Sequence, residues 1–305
     1  MGPRLFGPQH VFENRVKRGL GWLPDLPDVR DTTLQALAPE GAGKKSLEAL
    51  HSKVVETITP KGRGRLPSAC DNRQYCSPIE DQGSLGSCTA HAGMGMVEYM
   101  ERRAGGKHID GSRLFLYKAT RKLLGWTGDT GAFLRTTMKA LVHFGIPPEE
   151  VWPYEITTFD QEPDPFMYAY ASNTRAIKYM RLDPYGSTPA ETLQEVKSAL
   201  THGYAVIFGF TVYSSLTTAA DIPYPRMQDT MRGGHAVLAV GYDDNHANIA
   251  TPGGEKGALL IRNSWGLEWG DGGYGWLPYA YARSGLADDF WTSYQVDWVD
   301  SGQFD

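Results

Sequence analysis

The sequence predicts an α+β protein, with helices in the first part of a main body beginning near Leu66 and strands in the second. Three observations predict it. From Cys88, the stretch CTAHAGMGMVEYMERRAGG places small and apolar residues on most faces, turns charged and ends in a Gly pair, the pattern of a buried helix with a Gly stop. After Pro189, three runs rich in β-branched and aromatic residues follow one another, AVIFGFTVY (205–213), HAVLAVGYDD (235–244) and GALLIRNSWG (257–266), each suited to a strand. Residues 1–65 differ from both and read as an N-terminal extension, prosegment-like or regulatory, so that 66–305 forms the principal domain.

Within the extension, GWLPDLPDVRD (21–31) is Pro- and Asp-rich with apolar residues between, which suits an extended segment lying on a surface. Residues 40–66 read as a linker with one amphipathic stretch at Ser46 to Val55 and a basic, Gly-containing exit open to proteolytic nicking. In the main body a second helix is expected over Ser112 to Leu124 and a third over Thr130 to Phe144, stopped by Gly145 with Pro147 beyond. A further helix over Ala190 to Thr201 precedes the first strand run. There is no internal repeat and no low-complexity tract.

Composition narrows the function classes. A chain of 305 residues with 41% hydrophobic and 21% charged residues buries a large core without needing disulfide staples. A net charge of −5 offers no general attraction for phosphate backbones or anionic lipid, and no apolar run is long enough to span a membrane, so neither nucleic acid nor membrane is an expected partner. The opening MGPRLFGPQHVFENRVKRG lacks the continuous apolar centre of a secretory signal, and the compartment stays open. Three cysteines are too few for a disulfide framework; Cys70 and Cys76 are close enough in sequence to bridge, or are two ordinary thiols.

Chemistry concentrates at four residues. Cys88 follows Gly86-Ser87 at the expected start of a helix, where the macrodipole and free N–H groups favour a thiolate. In DQGSLGSC, Gln82 lies a short loop before that thiol and is able to offer an amide N–H to a carbonyl oxygen, with the Cys88 backbone N–H as second donor, the pair that acyl transfer requires. His235 begins an expected strand after Gly233-Gly234. Asn263 ends another, with a side-chain oxygen suited to orienting an imidazole and with Trp265 to shield that bond from water. No His, Cys or carboxylate spacing fits a metal, and no cofactor motif is present: GDGGYG (270–275) lacks a phosphate-loop Lys.

DQGSLGSCTA, GGHAVLAVGYD and IRNSWGLEWGDGGYGWL together resemble the Gln, Cys, His and Asn blocks of the papain family of cysteine peptidases, in the family's order. In that family the His and Asn lie about 130 to 150 residues after the Cys. Here His235 lies 147 residues on and Asn263 lies 175 on, with the polar insertion NHANIATPGGEKG between them. Two positions depart from the family's local signature: Leu85 stands where a Cys is usual, and Thr89 where an aromatic is. Gly234 replaces a residue that is often acidic or an amide. These departures resemble divergent bacterial members.

The resemblance implies a two-lobed fold, with a helical left lobe (about 66–185) carrying Cys88, an antiparallel β-barrel-like right lobe (about 186–290) carrying His235 and Asn263, a tail at 291–305, and substrate in the groove between. It implies a monomeric endopeptidase acting on proteins or peptides. The loop GWTGDTGAF (125–133) resembles the segment that binds the substrate backbone, which nominates Gly128, Thr130 and Gly131; Phe208, Gly234, Ala236 and Trp265 are nominated for the pocket walls. Trp22, Leu23, Pro24, Asp25 and Leu26 are expected to approach the cleft and restrict access as an intramolecular inhibitor. Two alternatives remain on sequence: a transglutaminase-like Cys–His acyl transferase, for which Asp is the expected orienter, and a silent peptide-binding protein on the same fold.

Overall fold

The computed structural model describes residues 9–13, 16–33, 66–106, 108–174, 177–247 and 251–296. The amphipathic stretch expected at Ser46 to Val55 lies outside them. Strands β1 (Gln9–Glu13) and β2 (Val16–Leu20) form an antiparallel pair, and β3 (Ala69–Asp71) opens the main body. Helices α1 (Cys88–Gly105), α2 (Arg113–Leu123), α3 (Leu134–Phe144) and α4 (Pro165–Ala171) follow, then β4 (Ile177–Arg181), α5 (Pro189–Thr201), β5 (Val206–Tyr213), β6 (Met231–Ala247), β7 (Lys256–Arg262), β8 (Tyr274–Pro278), α6 (Tyr279–Arg283) and β9 (Ala287–Val296).

Helix boundaries follow local chemistry. Gly106 ends α1 in the left-handed conformation, the Ser112 side chain accepts the Phe115 N–H at the start of α2, and Thr188 with Glu191 forms a capping box on α5, where Pro189 fills the first turn. The third helix starts at Leu134 rather than Thr130. Gly131 (φ 71°) turns the chain, and the Ala132 N–H bonds outward to the Gly21 carbonyl at 2.8 Å instead of entering a helix.

Among the described residues the main sheet has seven strands in the order β4-β9-β5-β6-β7-β8, with β3 pairing β6, and every ladder is antiparallel. The antiparallel sheet expected of the second lobe is present, as an open sheet rather than a closed barrel. Strand alternation sends side chains to two cores. Val206, Phe208 and Phe210 of β5 with Val237 and Ala239 of β6 face Leu193, Val196 and Leu200 of α5, whereas Ile207, Ala236, Leu238 and Val240 face the helices α1 to α3. β4, which ends at Arg181, joins the sheet through β9, and β9 runs over Ala287–Val296, into the stretch expected as a tail at 291–305. Cys70 and Cys76 are free thiols, the latter buried.

Inside the helical part, Arg113 is 2% exposed and its guanidinium reaches Glu98, itself 0% exposed, at 2.7 Å, and Asp110 at 2.6 Å. Removing one partner of such a buried pair strands the other charge. Arg113→Met is therefore expected to lower unfolding free energy by about 3–5 kcal/mol, read as a shift of the urea midpoint; an unchanged midpoint contradicts the assignment of this pair as structural.

Candidate active site

Cys88 is the first residue of α1 and fully buried. Ser87 holds the cap position, but its side chain does not cap the helix: its hydroxyl lies 2.6 Å from the Tyr154 hydroxyl and 3.3 Å from His91 Nδ1. His91 packs edge-on to Tyr154, and burial pushes its pKa down to about 3, so it is a neutral packing residue beneath the loop. That loop is joined to the 125–133 loop by Asp129, which accepts the Gly86 N–H at 3.0 Å and the Tyr117 hydroxyl at 2.6 Å.

His235 lies within β6, four residues after its first, because the strand begins at Met231. Its Nε2 is 2.7 Å from Asn263 Oδ1, an oxygen identified by the Ser264 N–H that donates to it at 2.8 Å. The imidazole stacks on Trp265 with 4.4 Å between centroids, and the indole excludes water from the His–Asn bond. His235 Nδ1 is buried with no hydrogen-bond partner. The backbone of Ala236, the next residue, hydrogen-bonds the Cys88 sulfur. Gln82 joins the two halves: Ser264 Oγ donates to its Oε1 at 2.6 Å, and the Gln82 N–H donates to the Ser264 carbonyl at 2.9 Å.

The chain's own N-terminal segment runs through this site. The Trp22 N–H donates to the Gly234 carbonyl at 3.0 Å on the sheet side, while the Ala132 N–H donates to the Gly21 carbonyl at 2.8 Å and the Leu23 N–H to the Ala132 carbonyl at 3.1 Å on the helical side. Gln82 Nε2 donates to the Gly19 carbonyl at 3.1 Å and to the Leu85 carbonyl at 2.8 Å. The approach is close enough to require glycine: a Cβ on Gly21 would lie 1.8 Å from the Gly86 carbonyl oxygen, and one on Gly19 2.1 Å from that of Leu85. Of the five residues expected near the cleft, Trp22 is 4% exposed, Leu23 and Asp25 are half-buried, and Pro24 and Leu26 are exposed. The crossing starts earlier, at Gly19. Beyond it, Arg135 of α3 holds Asp25 at 2.5 Å, Asp31 at 2.8 Å and the Leu26 carbonyl at 2.7 Å.

Burial sets the electrostatics of Cys88 and His235. It pushes the Cys88 thiol up to about 11, only partly offset by hydrogen bonds from the backbone of Ala236, Gly21 and Thr89. It pushes His235 down to about 4 against the opposing bond to Asn263. At neutral pH the covered pair is therefore a thiol and a neutral imidazole, not an ion pair.

The nominated binding residues divide. Gly131 and Gly234 lie directly against the segment, since a Cβ on either would meet the backbone of Gly21 or Trp22 within 2.5 Å. Ala236 shares an apolar cluster with Trp22 and Cys88. Thr130 Oγ1 turns to the Gly131 carbonyl, and Gly128 is held from the opposite side, its N–H on Asp160 at 2.8 Å and its carbonyl on Arg121 at 2.6 Å. Phe208 is the correction: it stacks on Phe290 at 4.9 Å in the core on the other face of β5, and strand alternation gives the cleft-facing position to Gly209. The sequence reading missed the contacts of Gly209, Ala132 and Arg135 with the segment and of Ser264 with Gln82. The glycine inside AVIFGFTVY was the one available signal, since a strand glycine marks close approach by another group.

A thiol at a helix start, hydrogen-bonded by the backbone of the residue that follows a histidine held by an asparagine, defines the class of papain-type thiol peptidases. Residues 66–292 match the family model of the papain family cysteine proteases. Xylellain, a cysteine protease from Xylella fastidiosa, is 32% identical with a TM-score of 0.69, over 94% of this chain and 100% of that one. An uncharacterized peptidase C1-like protein of Acanthamoeba polyphaga mimivirus is 31% identical over 92% of this chain and 88% of its own length. Cathepsin K of Mus musculus is 28% identical over 72% of this chain and 62% of its length. The chain belongs to the papain family and is a cysteine peptidase.

Proposed function

We propose that the chain is a latent cysteine endopeptidase in which Cys88 is the nucleophile, His235 its base, Asn263 the orienter and Gln82 an oxyanion donor, with residues Gly19 to Leu23 withholding the cleft from substrate. The carrying observation is the His235 Nε2–Asn263 Oδ1 bond, which leaves His235 Nδ1 buried and unpartnered on the residue preceding Ala236, whose backbone reaches the Cys88 sulfur.

Once the segment leaves, water and the helix N-terminus favour transfer of the thiol proton to His235 Nδ1. The thiolate then attacks a peptide carbonyl carbon, forming a C–S bond while the carbonyl oxygen takes the negative charge. Gln82 Nε2–H, released from the Gly19 carbonyl, and the Cys88 N–H stabilise that oxygen. Collapse breaks the C–N bond as His235 gives its proton to the departing amine. A water deprotonated by His235 cleaves the thioester, releasing the carboxylate and restoring the thiol.

Extended backbone bonded to Ala132 on one side and Gly234 on the other makes the segment an occupant of the place a peptide would take. Incubating the full chain and a Trp22→Ala variant with a mixed peptide library, with and without an added primary amine, tests the reaction class. Fragments ending in free carboxylates are expected. Amine-capped fragments would assign a transferase instead, and intact peptides in both proteins would assign a silent binder.

A further inference from the structure

Trp22 does not merely cross the cleft: its ring is plugged into a slot of the body. A Cβ on Gly209 would lie 1.9 Å from the indole, and one on Gly234 2.6 Å from it, so two glycines on paired strands make a flat wall against the ring face. At the end of the slot the indole Nε1–H donates to Asp289 Oδ2 at 3.1 Å. Asp289 is 0% exposed and is the one non-glycine residue with positive φ among those described (66°), a conformation kept only where the surroundings impose it. Its backbone N–H is held by Asp183 at 2.9 Å, and its other oxygen accepts the Trp291 indole N–H at 2.7 Å and lies 3.2 Å from Arg181. A buried carboxylate oxygen at the end of a slot, with an indole N–H as its only side-chain donor among the described residues, is left unsatisfied when Trp22 withdraws.

We propose that this slot is a substrate subsite selective for tryptophan, with Asp289 as the specificity-determining acceptor and Gly209 and Gly234 as its walls. The proposal rests on the reading that Gly19 to Leu23 occupy the peptide's place. The charges favour a neutral donor over a cation. Arg181 already lies against Asp289 and Asp183, and the departing segment takes with it Asp25 and Asp31, whose carboxylates face Arg181 and Arg135. The slot thus offers an acceptor for one N–H without an excess negative charge for lysine or arginine. Phenylalanine fits the walls but leaves Asp289 Oδ2 unpaired, and a site built to bond an N–H rejects an analogue lacking it far more strongly than a purely apolar pocket does.

The test uses full-length Trp22→Ala protein and peptides of one backbone in which Trp, Phe, Leu, Arg or 3-benzothienylalanine is scanned through the positions around the cleaved bond. Benzothienylalanine has the shape of tryptophan with sulfur in place of the N–H. At one position, Trp is expected to exceed benzothienylalanine, Phe and Arg by about 10- to 100-fold in kcat/KM. Asp289→Asn, which tolerates the left-handed backbone and whose remaining oxygen is claimed by the Trp291 N–H and Arg181 so that its NH₂ faces the slot, should collapse the Trp-to-benzothienylalanine ratio toward one, with the urea midpoint as the control for folding. Equal rates for Trp and benzothienylalanine, or a preference for Arg, overturn the subsite assignment alone. If Trp22→Ala raises turnover of no peptide, the underlying reading of the segment falls, and the proposal with it.

Discussion

Replacing Trp22 by alanine is expected to raise turnover of peptide substrates by the full chain about a hundredfold. Trp22 is a large apolar side chain buried to 4% exposure, and truncating a buried tryptophan typically costs about 3–5 kcal/mol. Its bond to Asp289 is lost as well. Trp22 is itself a member of the buried cluster around Cys88 and Ala236, so a docking cost has to be separated from a folding cost. A loss of about 3 kcal/mol shifts the covered-to-open ratio by roughly 10². Backbone bonds to Ala132 and Gly234 and the clamp of Arg135 on Asp25 and Asp31 persist and limit the gain. Steady-state assays on a Leu-containing peptide measure it, with the urea midpoint as a control for folding. Unchanged turnover would mean that the segment does not limit access.

In that opened background, Cys88→Ala is expected to reduce kcat by at least about 10⁴-fold, and His235→Ala by a similar factor. Neither residue has a substitute nearby. The other buried histidine close to Cys88, His91, bonds to Ser87 and is held neutral by burial. Because the two act as a unit, the double variant should be little worse than either single one. Progress curves with enzyme at micromolar concentration reach the required sensitivity. Residual turnover within tenfold of the Cys88 protein would assign the chemistry elsewhere, and additive losses would argue that the two residues do not share a step.

The four positions proposed for catalysis stand out in the sequence because such chemistry demands particular residue types next to particular turns: Gln82 and Cys88 flank one Gly-rich loop, Gly233-Gly234 precedes His235, and Ser264-Trp265-Gly266 follows Asn263. Helices α1, α2 and α5 were legible because their stops and caps are local. Strand β9 was not: ADDFWTSYQV mixes polar and apolar residues without clean alternation, since it is buried between β4 and β5, and its bend at Asp289 breaks the period. The slot was illegible for a different reason. It is assembled from residues 22, 209, 234 and 289, far apart in the chain, and the wall at Gly209 is marked by the absence of a side chain, whereas bulk at Phe208 is what stands out in the sequence.

Alkylation of Cys88 by iodoacetamide as a function of pH, in the unaltered chain and in Trp22→Ala, tests the central claim that the segment keeps the reactive pair buried and neutral. An acid whose pKa is raised gives up its proton later. With the thiol at about 11 and the imidazole at about 4, the covered chain should react slowly at pH 7 and gain about tenfold per pH unit through the alkaline range. In Trp22→Ala the rate at pH 7 should rise at least about a hundredfold and persist well below the ordinary thiol pKa of about 8.5, as a thiolate–imidazolium pair requires. Superimposable profiles for the two proteins would contradict the account.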